Sequence, residues 1–412
     1  MKTHVFIKDQ WKGMAAIVFA ALVFCFWFFL YPHLMAWREG SQLFLCNKEY
    51  LFECLAIPGG LAQYIAEALV QFFANARLGA LAYALLLALT QWLTWKAMQR
   101  TSATDLSEKS DHSRQSAKTS KPWRFLLSFV PAIILCWLAT NPYIPTTPLV
   151  AVVLVLVALA FRPKGRKMLL AYTTLLIPIG YWLVGPAILL VALCNWRWAL
   201  PQWALLAACV VGFSFLAPFP LRQQARGIDY FWQEEYKSTM EEMKYDRWMR
   251  MGRWGRIVDE ANKKTPEAQS SRNVVQMALW NLKRLSSGNL FKSLDPSPIV
   301  MQSTAGAFIM SDIYLQLGYA NMSQRAAFEA MESIPNHNKS GRALKRLTET
   351  AIVAGQLQLA RKYLTILEDN VVLRKWARET RQLTETPEAA NSIPFYRQMR
   401  QHFSESDNFF FY

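Results

Sequence analysis

Up to Leu221 the chain consists mostly of apolar runs long enough to enter a bilayer; from Arg222 onward it is charged and patterned for soluble helices. No other feature constrains the fold as strongly. Backbone in hydrocarbon must satisfy its own hydrogen bonds, so the first part has to be built from helices. The second part must bury apolar stripes against neighbouring elements in water. The expected fold class is all-α: a polytopic α-helical membrane domain over 1–221 and a separate helical domain over 222–412.

Crossing the hydrocarbon takes roughly 20 helical residues. Candidate spans are 14–31, 78–95, 123–139, 147–161 and 200–217, while 168–198 is interrupted by Pro178, Gly180, Gly185 and Pro186. The first run is too long for a signal-peptide core, and Phe24, Trp27, Phe28 and Phe29 offer no small-residue cleavage site. It is expected to stay as the first membrane helix.

Charge sets orientation. Residues 1–221 hold 18 basic and 8 acidic side chains, and residues 222–412 hold 27 and 21. In the membrane half the basic groups gather before the first helix (Lys2, Lys8, Lys12), in a Ser/Thr/Lys-rich connector over 97–122 and in the turn from Arg162 to Lys167. These segments are expected to face the cytoplasm, with the connector disordered. Basic charge spread over loops is not a nucleic-acid surface, which would need it on one soluble face with stacking aromatics.

Parity then constrains the rest. With the N-terminus inside, residues 58–73 cannot add a crossing. They either re-enter without crossing or, the preferred reading, lie in the outer interface as a helix with Gln63, Glu67 and Gln71 on one face. If 168–198 forms two helices there are seven crossings and the second half is extracytoplasmic; if one, there are six and it is cytoplasmic. The Gly185-Pro186 break and the Trp196-Arg197-Trp198 cluster favour two. The six cysteines all precede residue 210. Cys46 and Cys54 share one polar connection, and either pair in an oxidising space or remain thiols. No metal-ligand spacing occurs, so neither a metal nor a cofactor is expected.

In the second half Gly252, Gly288, Gly318 and Gly355 recur at intervals of 36, 30 and 37 residues. Each is expected to turn one helix into the next. The last unit carries Leu344, Leu347, Ala351, Gly355, Ala360, Tyr363, Leu364 and Leu367, whose spacing resembles the tetratricopeptide repeat; Gly252 with Trp254, and Gly318, match more loosely. The resemblance implies an α-solenoid of about four helix pairs with a concave face for a protein partner. The aromatic stretch from Asp229 to Tyr236 is either a contact with membrane lipid or the first packed helix. The tail Asn408-Phe-Phe-Phe-Tyr412 is expected to pack on the array or fray.

No phosphate loop, nucleophile elbow or HExxH motif occurs. Glu49, Glu53 and Glu67 near the outer interface are the candidate catalytic residues, with Glu49 and Glu53 at i,i+4. An outward helix, acidic loop, interfacial helix and return helix resemble the glycosyltransferase-C arrangement. That would imply a membrane enzyme using a lipid-linked sugar, with Glu49 or Glu53 as base and the repeats as an accessory domain. The loop lacks the aspartate of that family's acidic signature. Taken whole, Ser41-Gln-Leu-Phe-Leu, Pro58-Gly-Gly-Leu-Ala-Gln-Tyr with Gln71-Phe-Phe, and Gly252-Arg-Trp254-Gly-Arg-Ile257 resemble a bacterial inner-membrane family of unknown activity. That family joins a multi-helix membrane region to a tetratricopeptide-like one. Without a catalytic motif, the expected function is a membrane-anchored scaffold for protein–protein interaction.

Overall fold

The computed structural model describes residues 2–107, 122–163, 166–194, 200–216, 234–294, 303–334 and 339–403. Among them every regular element is helical, so the chain is all-α. It divides into two compact units. One joins Met1–Pro32 to Lys48–Ile228, and the other joins His33–Asn47 to Asp229–Tyr412. The division after Ile228 lies close to the expected boundary at 221, but the second unit also takes a segment from the first loop, which the composition did not reveal.

In the first unit α1 (Lys2–Cys25) runs into a π-helical turn at Phe26–Leu30. Then α2 (Pro32–Gly40), which packs in the second unit, precedes α3 (Lys48–Leu55), α4 (Gly60–Val70) and α5 (Ala76–Ser107). There follow α6 (Pro122–Leu127), α7 (Val130–Leu138), α8 (Thr147–Ala160), α9 (Arg166–Val184), α10 (Leu189–Cys194) and α11 (Leu200–Leu216). Among the described residues Gln10–Leu30, Ala76–Arg100 and Met168–Val191 are long and apolar enough to cross a bilayer, and Trp123–Leu138, Thr147–Ala160 and Trp203–Gly212 are shorter apolar helices. The connector expected to be disordered over 97–122 is helical as far as Ser107; residues 108–121 lie outside the described set.

Aromatic and cationic contacts gather the helix ends of this unit into two sets. At one end Trp11 meets Phe125 edge-on at 5.1 Å, Lys12 sits over Trp95 at 5.4 Å and Lys96 over Phe161 at 3.7 Å. Arg100 Nη1 reaches Arg162 O in the same set at 3.4 Å. At the other, Trp27 stacks on Tyr83 at 4.0 Å, and Tyr83 on Phe73 at 4.8 Å. The far end of α9 is tied to the loop before α4: Trp182 Nε1 donates to Leu55 O at 2.9 Å, and the Gly59 N–H donates to Trp182 O at 2.8 Å.

The ambiguous stretch at 168–198 bends back on itself. Gly185 has φ +68°, a left-handed conformation open to glycine, and a short 3-10 turn follows at Gly185–Ile188. A Cβ added to Gly180 would lie 2.6 Å from Ile188 Cδ1. On a straight helix residues eight apart are separated by about 12 Å, so the chain has turned back toward α9. Ile188 and Val191 are buried against Val153, Leu156 and other α8 side chains in one core. Trp196-Arg197-Trp198 lie outside the described residues, as do 229–233 of the aromatic stretch and the tail from 408 to 412.

The second unit is a series of helix pairs: α12 (Glu234–Arg250) with α13 (Trp254–Lys263), α14 (Gln269–Asn281) with α15 (Ser287–Ser293), α16 (Thr304–Gln316) with α17 (Ala320–Glu332), and α18 (Gly341–Val353) with α19 (Leu357–Glu368). Shorter helices α20 (Arg374–Arg381) and α21 (Pro394–His402) follow. One turn chemistry closes the first helix of each pair. Gly252, Gly318 and Gly355 have φ of +62°, +92° and +75°. Each glycine N–H returns to the carbonyl three residues back, and the next N–H to the carbonyl five back, as in Gln356 to Ala351 at 2.8 Å.

Gly288 does not do this. It sits inside α15 with nothing within 4 Å of an added Cβ. The second turn is made by Lys283, at φ +58°, with Lys283 N–H to Trp280 O at 2.9 Å and Arg284 N–H to Leu279 O at 2.8 Å. The true turn positions 252, 283, 318 and 355 are spaced by 31, 35 and 37 residues. Trp254 opens α13 and packs half-buried against the core of Trp248, Ile257 and Met277. Ala360 and Leu364 are fully buried, in two adjoining cores of the last pair.

Candidate functional site

The second unit holds a stretch of the chain that is not part of its helix pairs. After α2 the backbone runs without regular secondary structure from Gln42 to Cys46 and is gripped main chain first. Ser340 Oγ donates to Gly40 O at 2.7 Å, the Gly341 N–H to Gln42 O at 3.1 Å, and Asn370 Nδ2 to Phe44 O at 2.9 Å. The Cys46 N–H donates to Asp369 O at 2.8 Å, and Asn47 Nδ2 to Asp369 Oδ2 at 2.9 Å. Bonds at residues 42, 44 and 46 follow the two-residue period of an extended chain.

The helix ends of the last pair are built for this. Ser340 is the N-cap of α18: its Oγ accepts from the Ala343 N–H at 3.1 Å while its hydroxyl hydrogen goes to Gly40. Gly341 lets the segment come close, since an added Cβ would stand 3.2 Å from Leu373 Cδ1 and 3.5 Å from Gln42 O. Beyond α19, Asn370 Oδ1 accepts from the Val372 and Leu373 N–H groups at 3.0 and 2.9 Å, which aims its Nδ2 at Phe44 O.

Side chains of the segment fill the unit's core. Leu43 is buried with Ala327, Leu344, Leu347, Leu364, Leu367 and Ala377, and Leu45 packs against the same set. Trp37 of α2 meets Phe308 edge-on at 6.0 Å and lies against Ala307, Ala330, Ile334 and Ala343. Leu34 and Met35 are fully buried.

Beneath lies a buried charge network. Arg342 donates to both oxygens of Asp246, at 2.9 and 2.6 Å, and to Asp312 at 2.6 Å, with its guanidinium 4.5 Å over Phe308. Arg346 bonds Asp312 and reaches Glu349 at 3.0 Å. Burial alone would raise the Asp312 carboxyl, but Arg342, Arg346 and Arg250 outweigh it and hold it at about 2. Burial likewise opposes the Arg342 charge, and Asp246 and Asp312 more than restore it. Glu39 is pushed above the usual carboxylate range by burial, against the pull of Arg250, Arg342 and Lys345. The network joins α12, α16 and α18, so the first, third and fourth pairs share one polar centre.

The candidate glutamates are not brought together. Glu49 and Glu53 share an exposed face of α3, as the i,i+4 spacing requires, whereas Tyr50 and Cys54 on the adjoining face are buried. Glu67 is also buried: Tyr50 Oη donates to its Oε2 and Gln63 Nε2 to its Oε1 at 2.9 Å. Its partner Tyr50 has its phenol raised well above the usual range, by burial first and by the Glu67 charge second. The polar stripe of 58–73 therefore faces protein, while Ile65 and Phe72 are exposed. Tight local geometry enforces the packing, because a Cβ on Gly60 would lie 1.7 Å from Cys54 O. Cys46 and Cys54 are not joined in a disulfide.

Sequence reasoning missed Ser340, Gly341, Asn370 and the gripped segment. The available signal was Leu43-Phe-Leu45, three apolar residues in a loop too short to span, beside Ser41-Gln42.

An all-helical chain with apolar helices of membrane-crossing length and a unit of paired helices around an extended segment is the class that these observations define. The chain belongs to the family of unknown function DUF6057, whose model matches residues 8–204 and 195–412. Neither a curated protein nor a solved structure matches it.

Proposed function

We propose that the protein is a membrane-anchored helical-repeat scaffold of a bacterial inner membrane, its tetratricopeptide-like solenoid offering a concave face to a protein partner on the extracytoplasmic side. One observation carries this reading: the array already holds an extended stretch through main-chain hydrogen bonds from helix ends. That chemistry suits recognition of an extended peptide, since it takes backbone groups of any sequence and leaves specificity to pockets such as the one around Leu43.

The side follows from connectivity. His33–Asn47 is part of the second unit, and His33 follows the span Gln10–Leu30 almost directly. This connectivity supports a unit on the side where α1 ends, opposite the basic N-terminus. The contacts at Trp11, Trp95, Phe125 and Arg162 gather helix ends that the basic loops would make cytoplasmic, and Trp182 with Leu55 and Gly59 lies at the other end. If the turn at Gly185 splits 168–198 into two passes the total is seven, which supports the same side.

The scaffold is tested by pull-down of the full chain and of Gly355→Val, which forces a β-branched side chain into a left-handed turn. Partners of the array should be lost from the variant. Retention of every partner by a variant whose array has lost its unfolding transition refutes the reading. The lipid-linked-sugar transferase would act through Glu49 or Glu53. The scaffold predicts that Glu49→Gln and Glu53→Gln fully complement a deletion strain, and the transferase predicts that one of them fails.

A further inference from the structure

The first helix pair carries a row of cations that the scaffold does not use. Lys244, Arg247 and Arg250 follow one another at three-residue steps along α12, Arg253 stands in the turn and Arg256 opens the next helix. Lys244, Arg250, Arg253 and Arg256 are exposed and Arg247 half-buried. Among the described residues none of the five forms a salt bridge. Arg256 lies 4.9 Å over the Trp248 ring, and the charge of Arg250 acts on the carboxyls of Glu39 and Asp312. Arg247 is held below the usual guanidinium range, by burial and then by Arg253, Arg256 and Arg250. Five like charges gathered in this way call for an external anion.

Their place in the chain says which. The charges of Lys244 and Arg247 act on the His33 imidazole, which burial and these two cations hold down to about 3. His33 stands three residues after Leu30, the last residue of the first membrane-length helix, which is at most about 11 Å of chain. The chain thus tethers His33 near the end of that helix, and a Lys or Arg close to a bilayer surface is strongly attracted to acidic headgroups.

We propose that the face formed by Lys244, Arg247, Arg250, Arg253 and Arg256 docks on anionic phospholipid headgroups of the membrane that α1 crosses. The proposal rests on Gln10–Leu30 being a span and not on which side the unit occupies. It therefore survives if the unit proves cytoplasmic, with the other leaflet as its surface.

The test uses the full chain in a neutral detergent, titrated separately with phosphatidylglycerol, phosphatidylcholine and inorganic phosphate, with bound lipid counted by native mass spectrometry. The comparison is with Lys244→Gln/Arg253→Gln/Arg256→Gln, whose three side chains are exposed and whose helix content and unfolding in neutral lipid should match wild type. Phosphatidylglycerol should bind the wild type in preference to phosphatidylcholine. Loss of the three cations should weaken that binding about five-fold each, of order a hundred-fold together, and added salt should weaken the wild type similarly. Equal phosphatidylglycerol binding by both proteins would overturn the proposal. So would equal binding of the two lipids by the wild type, and competition by inorganic phosphate at equal concentration would reassign the face to a free anion.

Discussion

Replacing Leu43 with alanine tests whether His33–Asn47 is a structural part of the repeat unit. Leu43 is 5% exposed and touches a core drawn from α17, α18, α19 and α20. Truncating a leucine in such a setting costs about 2–5 kcal/mol, from lost transfer energy and the cavity left behind. The unit has about 200 residues, for which each kcal/mol moves a midpoint by roughly 2–4 °C. The expected fall in the unit's melting temperature is thus about 5–15 °C. Thermal unfolding of the full chain in detergent, followed by near-ultraviolet circular dichroism, measures it. Phe52→Ala is the control, since Phe52 is 67% exposed and belongs to the first unit. A shift for Leu43→Ala no larger than the control would refute the reasoning, because a loop residue lying loosely against the unit would leave no cavity.

Two further outcomes follow from turn geometry and titration. Lys283 adopts a left-handed conformation at φ +58°, which costs a non-glycine residue roughly 1–2 kcal/mol; Lys283→Gly should raise the array's stability, and Gly318→Ala should lower it by about 1 kcal/mol in chemical denaturation. His33, held at about 3 by burial and by Lys244 and Arg247, binds its proton more readily when unfolded. Its neutral form then costs nothing above the ordinary imidazole range, and stability falls as pH drops from about 6.5 toward 3, by up to ~1.4 kcal/mol per pH unit. His33→Gln should flatten that part of the denaturation profile, and an unchanged slope would show that other groups set it.

The change of composition near Leu221 and the recurrence of Gly252, Gly318 and Gly355 made the division after Ile228 and three of the turns legible, since long apolar runs and left-handed turns each leave a mark in residue type. Lys283 left none: its turn is held by the same two hydrogen bonds, but a lysine does not advertise a positive φ, so Gly288 was taken in its place. The stripe of Gln63, Glu67 and Gln71 was visible and its direction was not. In this unit of apolar helices the polar stripe packs against protein while apolar residues such as Phe72 are exposed, the inverse of the rule in water. The grip of Ser340 and Asn370 on residues 40–44 joins positions some 300 apart in sequence. No local pattern encodes such a pairing.

The central claim is that the repeat unit stands on the side of the membrane where the first helix ends. Fusions of alkaline phosphatase and of green fluorescent protein at Tyr412 of the full chain test it directly. An active phosphatase and a dark fluorescent fusion are predicted. A fluorescent fusion with inactive phosphatase would contradict the account, because with the basic N-terminus inside it would place α12 to α21 across the bilayer from the Gly40–Asn47 segment that they hold.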